Sequence, residues 1–144
     1  MCPAAVPATP RWWSSDGVAA RGLPDTKLRR VTEAELGPED LKIITLARSA
    51  RARVGSAEGA AVRDETGRTY AAAAVALPSL RVSALTLAVA MAVSSGAAAL
   101  EAAALVSDGP GPAAEDIGAV KDIGSDAVII HAGSDGAVRE ILRL

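Results

Sequence analysis

From Tyr70 to Val93 the chain is almost continuously apolar, and Pro78, Ser79 and Arg81 break the run near its middle. Proline ends a helix or a central strand because it lacks an N–H and fixes φ. Each half is then shorter than the roughly 20 residues needed to span a bilayer. The run therefore reads as a buried strand followed by a buried helix, not as a membrane segment. The strand covers Arg68 to Leu77, and its unbroken apolar residues suit a central position in a sheet. Ser79 is the expected N-cap of the helix, which runs from Leu80 to Val93. Apolar residues lie on nearly every side of it: Leu80, Val82, Leu85, Leu87, Val89, Met91 and Val93. A helix with no polar face must be covered all round. A sheet covers one side only, so a homo-oligomer, dimer or tetramer, is expected through Leu80–Val93.

The other elements follow from local signals. Pro38 suits a first helical position, Glu39 and Asp40 suit the positive end of the helix dipole, and Gly55 suits the stop. These signals predict a helix from Pro38 to Val54, with Leu41, Ile44, Leu46 and Ala50 as its apolar face. Arg48, Arg51 and Arg53 read as its solvated end. Gly59 to Arg63 is a short strand, and Asp64-Glu65-Thr66-Gly67 is the turn into the strand described above. Leu100 to Val106 is a third strand, Ala113 to Gly124 a short helix, Ala127 to His131 a fourth strand and Ala137 to Leu142 a fifth. The order α-β-β-α-β-α-β-β predicts an α/β fold, a three-layer α-β-α sandwich around a five-stranded mixed sheet.

Residues 1–37 read as a disordered tail, because Pro3, Pro7, Pro10, Gly17, Gly22 and Pro24 break any regular element. The domain is expected over 38–144. Trp12 and Trp13 read as exposed aromatics of that tail, with docking on a partner as the sharper reading. Val31 follows a basic, proline-rich stretch, and GTG codes for valine and can start bacterial proteins. The first thirty residues are therefore open to being a mis-annotated extension. Arginine outnumbers lysine and alanine abounds, a bias of GC-rich, here bacterial, coding.

Composition excludes several functions. The net charge is −2 and both signs are interspersed, so nothing favours a nucleic-acid backbone. With no Phe, one Tyr and two Trp, no base-stacking platform is expected. No basic n-region precedes an apolar core at the N-terminus, so neither a signal peptide nor a membrane partner is expected. The single Cys, Cys2, allows no internal disulfide and fits a cytoplasmic setting. Much of the 50% hydrophobic content is Ala, and each buried CH2 contributes only about 0.8 kcal/mol. An alanine-rich core is thin per residue, which again favours packing against another subunit.

Several local patterns agree with one family. Gly59-Ala60-Ala61-Val62, then Asp64-Glu65-Thr66-Gly67 and Tyr70, is similar to the opening hairpin of cytidine deaminases. Ala88 to Gly96 resembles the end of their second helix. Leu105-Val106-Ser107-Asp108 with Pro110-Gly111-Pro112 resembles their third strand and the loop after it. The resemblance covers Leu41 to Leu144 and implies the cytidine deaminase-like fold.

The chemistry that the family implies needs a zinc ion on three Cys or His ligands and a nearby Glu as proton shuttle. By the resemblance, the first ligand position falls on Ser83 and the shuttle position on Leu85. The remaining ligand positions fall on Asp116 and Ala119, within Glu115-Asp116-Ile117-Gly118-Ala119. The family's ribose-binding Asn and Glu positions fall on Ala74 and Ala76. Independently of register, the chain holds only two Cys or His residues, Cys2 and His131, too few for such a site. No catalytic residue, no metal and no cofactor is therefore expected.

Other candidates read as structure. His131 is a strand-end histidine, with Ser134 and Asp135 near in sequence. Gly133-Ser134-Asp135-Gly136 lacks the later acidic ligands of a calcium loop and reads as a turn. Gly109-Pro110-Gly111-Pro112 lacks the Lys and Ser/Thr of a phosphate loop. Glu115, Asp116 and Asp122 read as helix-solvating or capping residues. The reading is a catalytically inactive cytidine deaminase-like protein, a scaffold or oligomeric interaction module whose protein partner the chain does not name. The alternative is a cytidine/deoxycytidine deaminase-type hydrolase acting on a free nucleoside. A third option, nucleoside binding without reaction, meets an all-alanine wall that offers ribose hydroxyls no partner.

Overall fold

The computed structural model describes residues 27–29 and 36–144. Trp12, Trp13 and Val31 lie outside the described residues. Helix α1, Pro38–Val54, starts and stops on the expected signals: Pro38 at its first position, Glu39 and Asp40 in the first turn, and Gly55 at φ 71° closing the end. Its buried stripe is Ile43, Ile44, Ala47 and Ala50, while Leu41 turns outward. Of the expected face, Ile44 and Ala50 are buried, Leu46 is half-buried and Leu41 is exposed, so the face is rotated toward Ile43 and Ala47.

Strands β2, Glu58–Asp64, and β3, Thr69–Ala73, pair antiparallel from Gly59↔Ala73 to Arg63↔Thr69. One carboxylate organises their turn. Asp64 Oδ1 accepts from the Thr66 N–H, the Thr66 hydroxyl and the Arg68 N–H at 2.9, 2.7 and 2.9 Å, and Oδ2 accepts from the Tyr70 hydroxyl at 3.0 Å. The single strand expected from Arg68 to Leu77 ends at Ala73. Beyond it, β4, Val75–Ala76, and β5, Arg81–Val82, form a separate small hairpin. Leu77 and Leu80 exchange backbone hydrogen bonds of 2.8 and 3.3 Å across Pro78-Ser79. A proline followed by serine favours such a turn. Ser79 therefore caps nothing, and the helix does not begin at Leu80. Ser83 is the cap, its Oγ accepting from the Thr86 N–H at 3.2 Å, and helix α2 covers Ala84–Ser94.

The remaining elements are β6, Leu100–Ser107, helix α3, Ala114–Ile123, β7, Val128–Ala132, and β8, Val138–Arg143. β6 and β7 run parallel across the α3 crossover, and the other pairs are antiparallel, so the sheet is mixed. The five expected strands are joined by a sixth, β1, Lys27–Arg29, which pairs with β8 at the edge to give the order β1-β8-β7-β6-β2-β3. β1 lies in the stretch read as tail.

Alternation along the strands sorts the core into two layers. Ala61, Ala104, Val106, Ile130 and Ile141 face α1 with Ile43 and Ala47. Ala60, Val62, Leu105 and Ile129 face α2 and α3 with Leu85, Val89, Ile117 and Val120. Among the described residues no helix is long and apolar enough to cross a membrane.

Alanine and glycine let the layers approach closely. A Cβ placed on Gly59 would stand 2.2 Å from the Ala47 carbonyl oxygen and 2.8 Å from Arg51 Cβ. Gly59→Ala therefore forces α1 off the sheet. It is expected to destabilise the fold by about 1–3 kcal/mol, read as a lower urea midpoint at unchanged slope.

Candidate functional site

The buried polar residues of the described chain are Glu58, Asp64, Ser83, Ser107, Asp116 and His131. Asp64 belongs to the hairpin turn. The other five gather at one end of the sheet, on the face that carries α2 and α3. Strand parity explains the gathering. Glu58 shares a face with Ala60 and Val62, and it pairs with Ser107. Ser107 shares its face with Leu105, which pairs with His131. The first residues of α2 and α3 close over this row.

Asp116 is the hub. Its Oδ1 accepts from the Ser83 hydroxyl at 2.5 Å and from the Thr86 hydroxyl at 2.9 Å, and its Oδ2 accepts from the Ala113 N–H at 3.2 Å. Burial pushes the Asp116 carboxyl above its ordinary range, against the pull of these donors. Glu58 Oε1 accepts from the Ala84 N–H at 2.9 Å, at the start of α2. Burial raises Glu58 to about 7, its bond to Ala84 opposes the rise, and the charge of Asp116 adds to it. Ser107 Oγ and His131 Nε2 lie 3.1 Å apart, and burial lowers the basicity of that imidazole. Gly111 of the following loop packs over them: a Cβ there would stand 2.5 Å from Glu140 Oε1 and 3.5 Å from His131 Nδ1.

The structure thus brings Ser83 and Asp116 together. Leu85 is fully buried in the core between α2, α3 and the sheet. Ala119 packs against the same core. Ala74 and Ala76 are half-buried, and neither offers a polar side chain. His131 turns to Ser107 rather than to Ser134 or Asp135. Those two residues hold the β7–β8 turn, where Gly133 bonds Ala137 and Asp135 Oδ1 accepts from the Ala137 N–H. Glu115 and Asp122 are exposed.

Sequence reasoning missed Glu58, Thr86 and the Ser107–His131 contact. The signal for Glu58 was strand parity: two residues before Ala60, it falls on the buried face of the same strand.

Zinc does not fit this donor set. The ligand positions offer a hydroxyl, one carboxylate and a methyl group, and zinc sites draw on thiolates and imidazoles with few oxygens. The two oxygen donors are bonded to each other, and the second Asp116 oxygen is engaged at Ala113. Among the described residues no group of three or more His, Cys, Asp or Glu could hold a metal ion.

A family model described as cytidine deaminase-like matches residues 36–136, which include every residue of this site. The chain is similar to a 1.6 Å crystal structure of cytidine deaminase from Burkholderia pseudomallei, with TM-score 0.60 and 22% identity over 69% of this chain and 88% of that one. It is also similar to the crystal structure of cytidine deaminase from Mycobacterium leprae, with TM-score 0.53 and 16% identity over 69% and 90%. At these identities the likeness is one of fold. No curated protein matches the chain.

The raised Glu58 has a measurable consequence. Between its ordinary value of 4.5 and its folded value of about 7, the folded chain keeps a proton that the unfolded chain releases. Stability from this group is therefore full below pH 4.5 and is lost as pH rises through about 7, by at most on the order of 3 kcal/mol. Glu58→Gln keeps an oxygen for the Ala84 N–H and cannot ionise. Urea midpoints at pH 5 and pH 8 are expected to fall more in the parent than in this variant; equal falls in both would contradict the assignment.

Proposed function

The chain belongs to the cytidine deaminase-like family, and we propose that within it this protein is a non-catalytic scaffold that assembles with further copies of itself. The observation that carries this reading is the Ser83–Asp116 hydrogen bond. It joins two of the positions where the family's chemistry would place metal ligands, and it uses both side chains for capping and helix packing. Leu85, at the proton-shuttle position, contributes to the core instead of to a cleft. Deamination without an activated water and an acid at the base lacks its two main sources of rate.

Assembly is supported by the outer side of α2. Ala84, Leu85, Ala88, Val89 and Ala92 are buried, whereas Met91 and Val93 are exposed, as is Leu80 in the preceding hairpin. An exposed apolar helix face gains by burial against a second copy. A cytoplasmic setting suits a chain whose single cysteine, Cys2, forms no internal disulfide.

One observation favours the alternative, a hydrolase acting on a free cytidine or deoxycytidine. Glu58, raised to about 7 beside the start of α2, is poised where a general acid or base is useful. Against it stand Ala74 and Ala76, which give a ribose no hydrogen-bond partner, so that buried hydroxyls would lose water without replacement.

Purified protein incubated with cytidine is expected to form no uridine and to carry far less than one zinc per chain by elemental analysis. Turnover accompanied by stoichiometric zinc would overturn the scaffold reading, and turnover without metal that Glu58→Gln abolishes would favour the alternative. Light scattering is expected to give a mass above that of one chain, reduced to one chain by Met91→Glu together with Val93→Glu. A clean monomer in the parent protein refutes assembly through α2.

A further inference from the structure

On the sheet face opposite the polar layer, a cleft of about 240 Å3 opens between α1 and the β7–β8 turn. Thr45, Arg48, Ser49, Arg51, Val106 and Ser134 line it. We propose that this cleft binds a small oxyanion, a phosphate or carboxylate group, through the guanidinium groups of Arg48 and Arg51.

Arg48 is held in place before any ligand arrives. Its Nε donates to the Ser134 carbonyl oxygen at 3.2 Å. Its side chain packs against Gly136, where a Cβ would stand 3.1 Å from one terminal nitrogen and 3.3 Å from Cζ. Gly136 sits at φ +85°, a conformation that side chains rarely adopt, so glycine both makes the turn and leaves room for the arginine. Among the described residues Arg48 forms no ion pair with an acidic side chain. A planar fork of donors, fixed at its base and free at its tip, is what a carboxylate or phosphate engages in two parallel hydrogen bonds.

Arg51 supplies a second fixed cation. Its Nε donates to the Ala57 carbonyl oxygen at 3.3 Å, and one terminal nitrogen lies 3.5 Å from Asp108 Oδ2. Asp108, the partner of Arg51, is itself already engaged. It accepts from the Ser134 N–H at 3.0 Å and faces Arg139 at 3.4 Å, and these contacts hold its carboxyl below the usual range. Asp135 is engaged with the Ala137 N–H. Arg51 and Arg139 share Asp108, whereas Arg48 pairs with no carboxylate among the described residues, which leaves an excess of positive charge in the cleft. Beside them the Thr45 hydroxyl donates to the Leu41 carbonyl oxygen. The cleft is smaller than the roughly 300 Å3 at which small-molecule pockets usually begin. It suits one oxyanion group rather than a nucleoside.

The test is the thermal midpoint of the full chain, titrated with inorganic phosphate and, separately, with succinate, at constant ionic strength set by chloride. A ligand that binds only the folded chain raises the midpoint in proportion to ln(1 + [L]/Kd), by about 4 °C at tenfold excess over Kd. The rise is expected to vanish in Arg48→Gln and to persist in Arg143→Gln, a cation at the far end of β8. A rise with phosphate alone assigns the site to phosphate groups, a rise with succinate alone to carboxylates, and a rise with both to oxyanions in general. Should Arg48→Gln fail to fold, Ser49→Glu puts a carboxylate at the exposed mouth and must abolish the rise. No rise with either anion, or an undiminished rise in these variants, overturns the proposal.

Discussion

A carboxyl group buried between the starts of two helices is the interaction on which this structure turns. Leaving such a group without partners costs several kcal/mol. Asp116 avoids that cost with three donors drawn from three places: Ser83 and Thr86 of α2 and the backbone of Ala113 at the start of α3. The same contacts therefore define where α2 begins, where α3 begins and how the two helices sit against each other. In a zinc-bearing member of the fold a metal ion would tie these elements together. Here a neutral hydroxyl and a carboxyl form the tie.

The rest of the polar layer has the same dual character. Glu58 bonds the first N–H of α2, where the helix dipole favours an acceptor, while its burial favours the proton. Ser107 and His131 satisfy each other under the Gly111 loop. Each residue type could serve catalysis, and each contact also serves folding. Fold membership alone does not choose between these uses.

Much of the architecture was legible because periodicity carries it. The Pro38–Val54 helix shows its start, stop and dipole signals in order, and the α-β-β-α-β-α-β-β sequence of elements holds once the short strands β1, β4 and β5 are set aside. Ser83 and Asp116 were legible as partners through the family pattern. What escaped was tertiary. Ser79 and Ser83 are equally good caps in one dimension, and only the Leu77–Leu80 turn, which consumes Pro78-Ser79, decides for Ser83. The short β1 strand has no pattern of its own and exists through its pairing with β8. Glu58 lay just outside the strand expected from Gly59 to Arg63, whereas its parity with Ala60 places it inside.

The alanine interior has a further consequence for how such a chain can change over time. Ala47, Ala60, Ala61, Ala88, Ala92, Ala103 and Ala104 are all fully buried between layers that nearly touch. Larger side chains are barred there by overlap, and smaller ones have almost nothing left to remove. Substitutions at these sites are squeezed from both directions, so drift is channelled to the rim of the sheet and the helix starts. A framework of this kind therefore keeps its packing while its rim and helix starts remain free to vary.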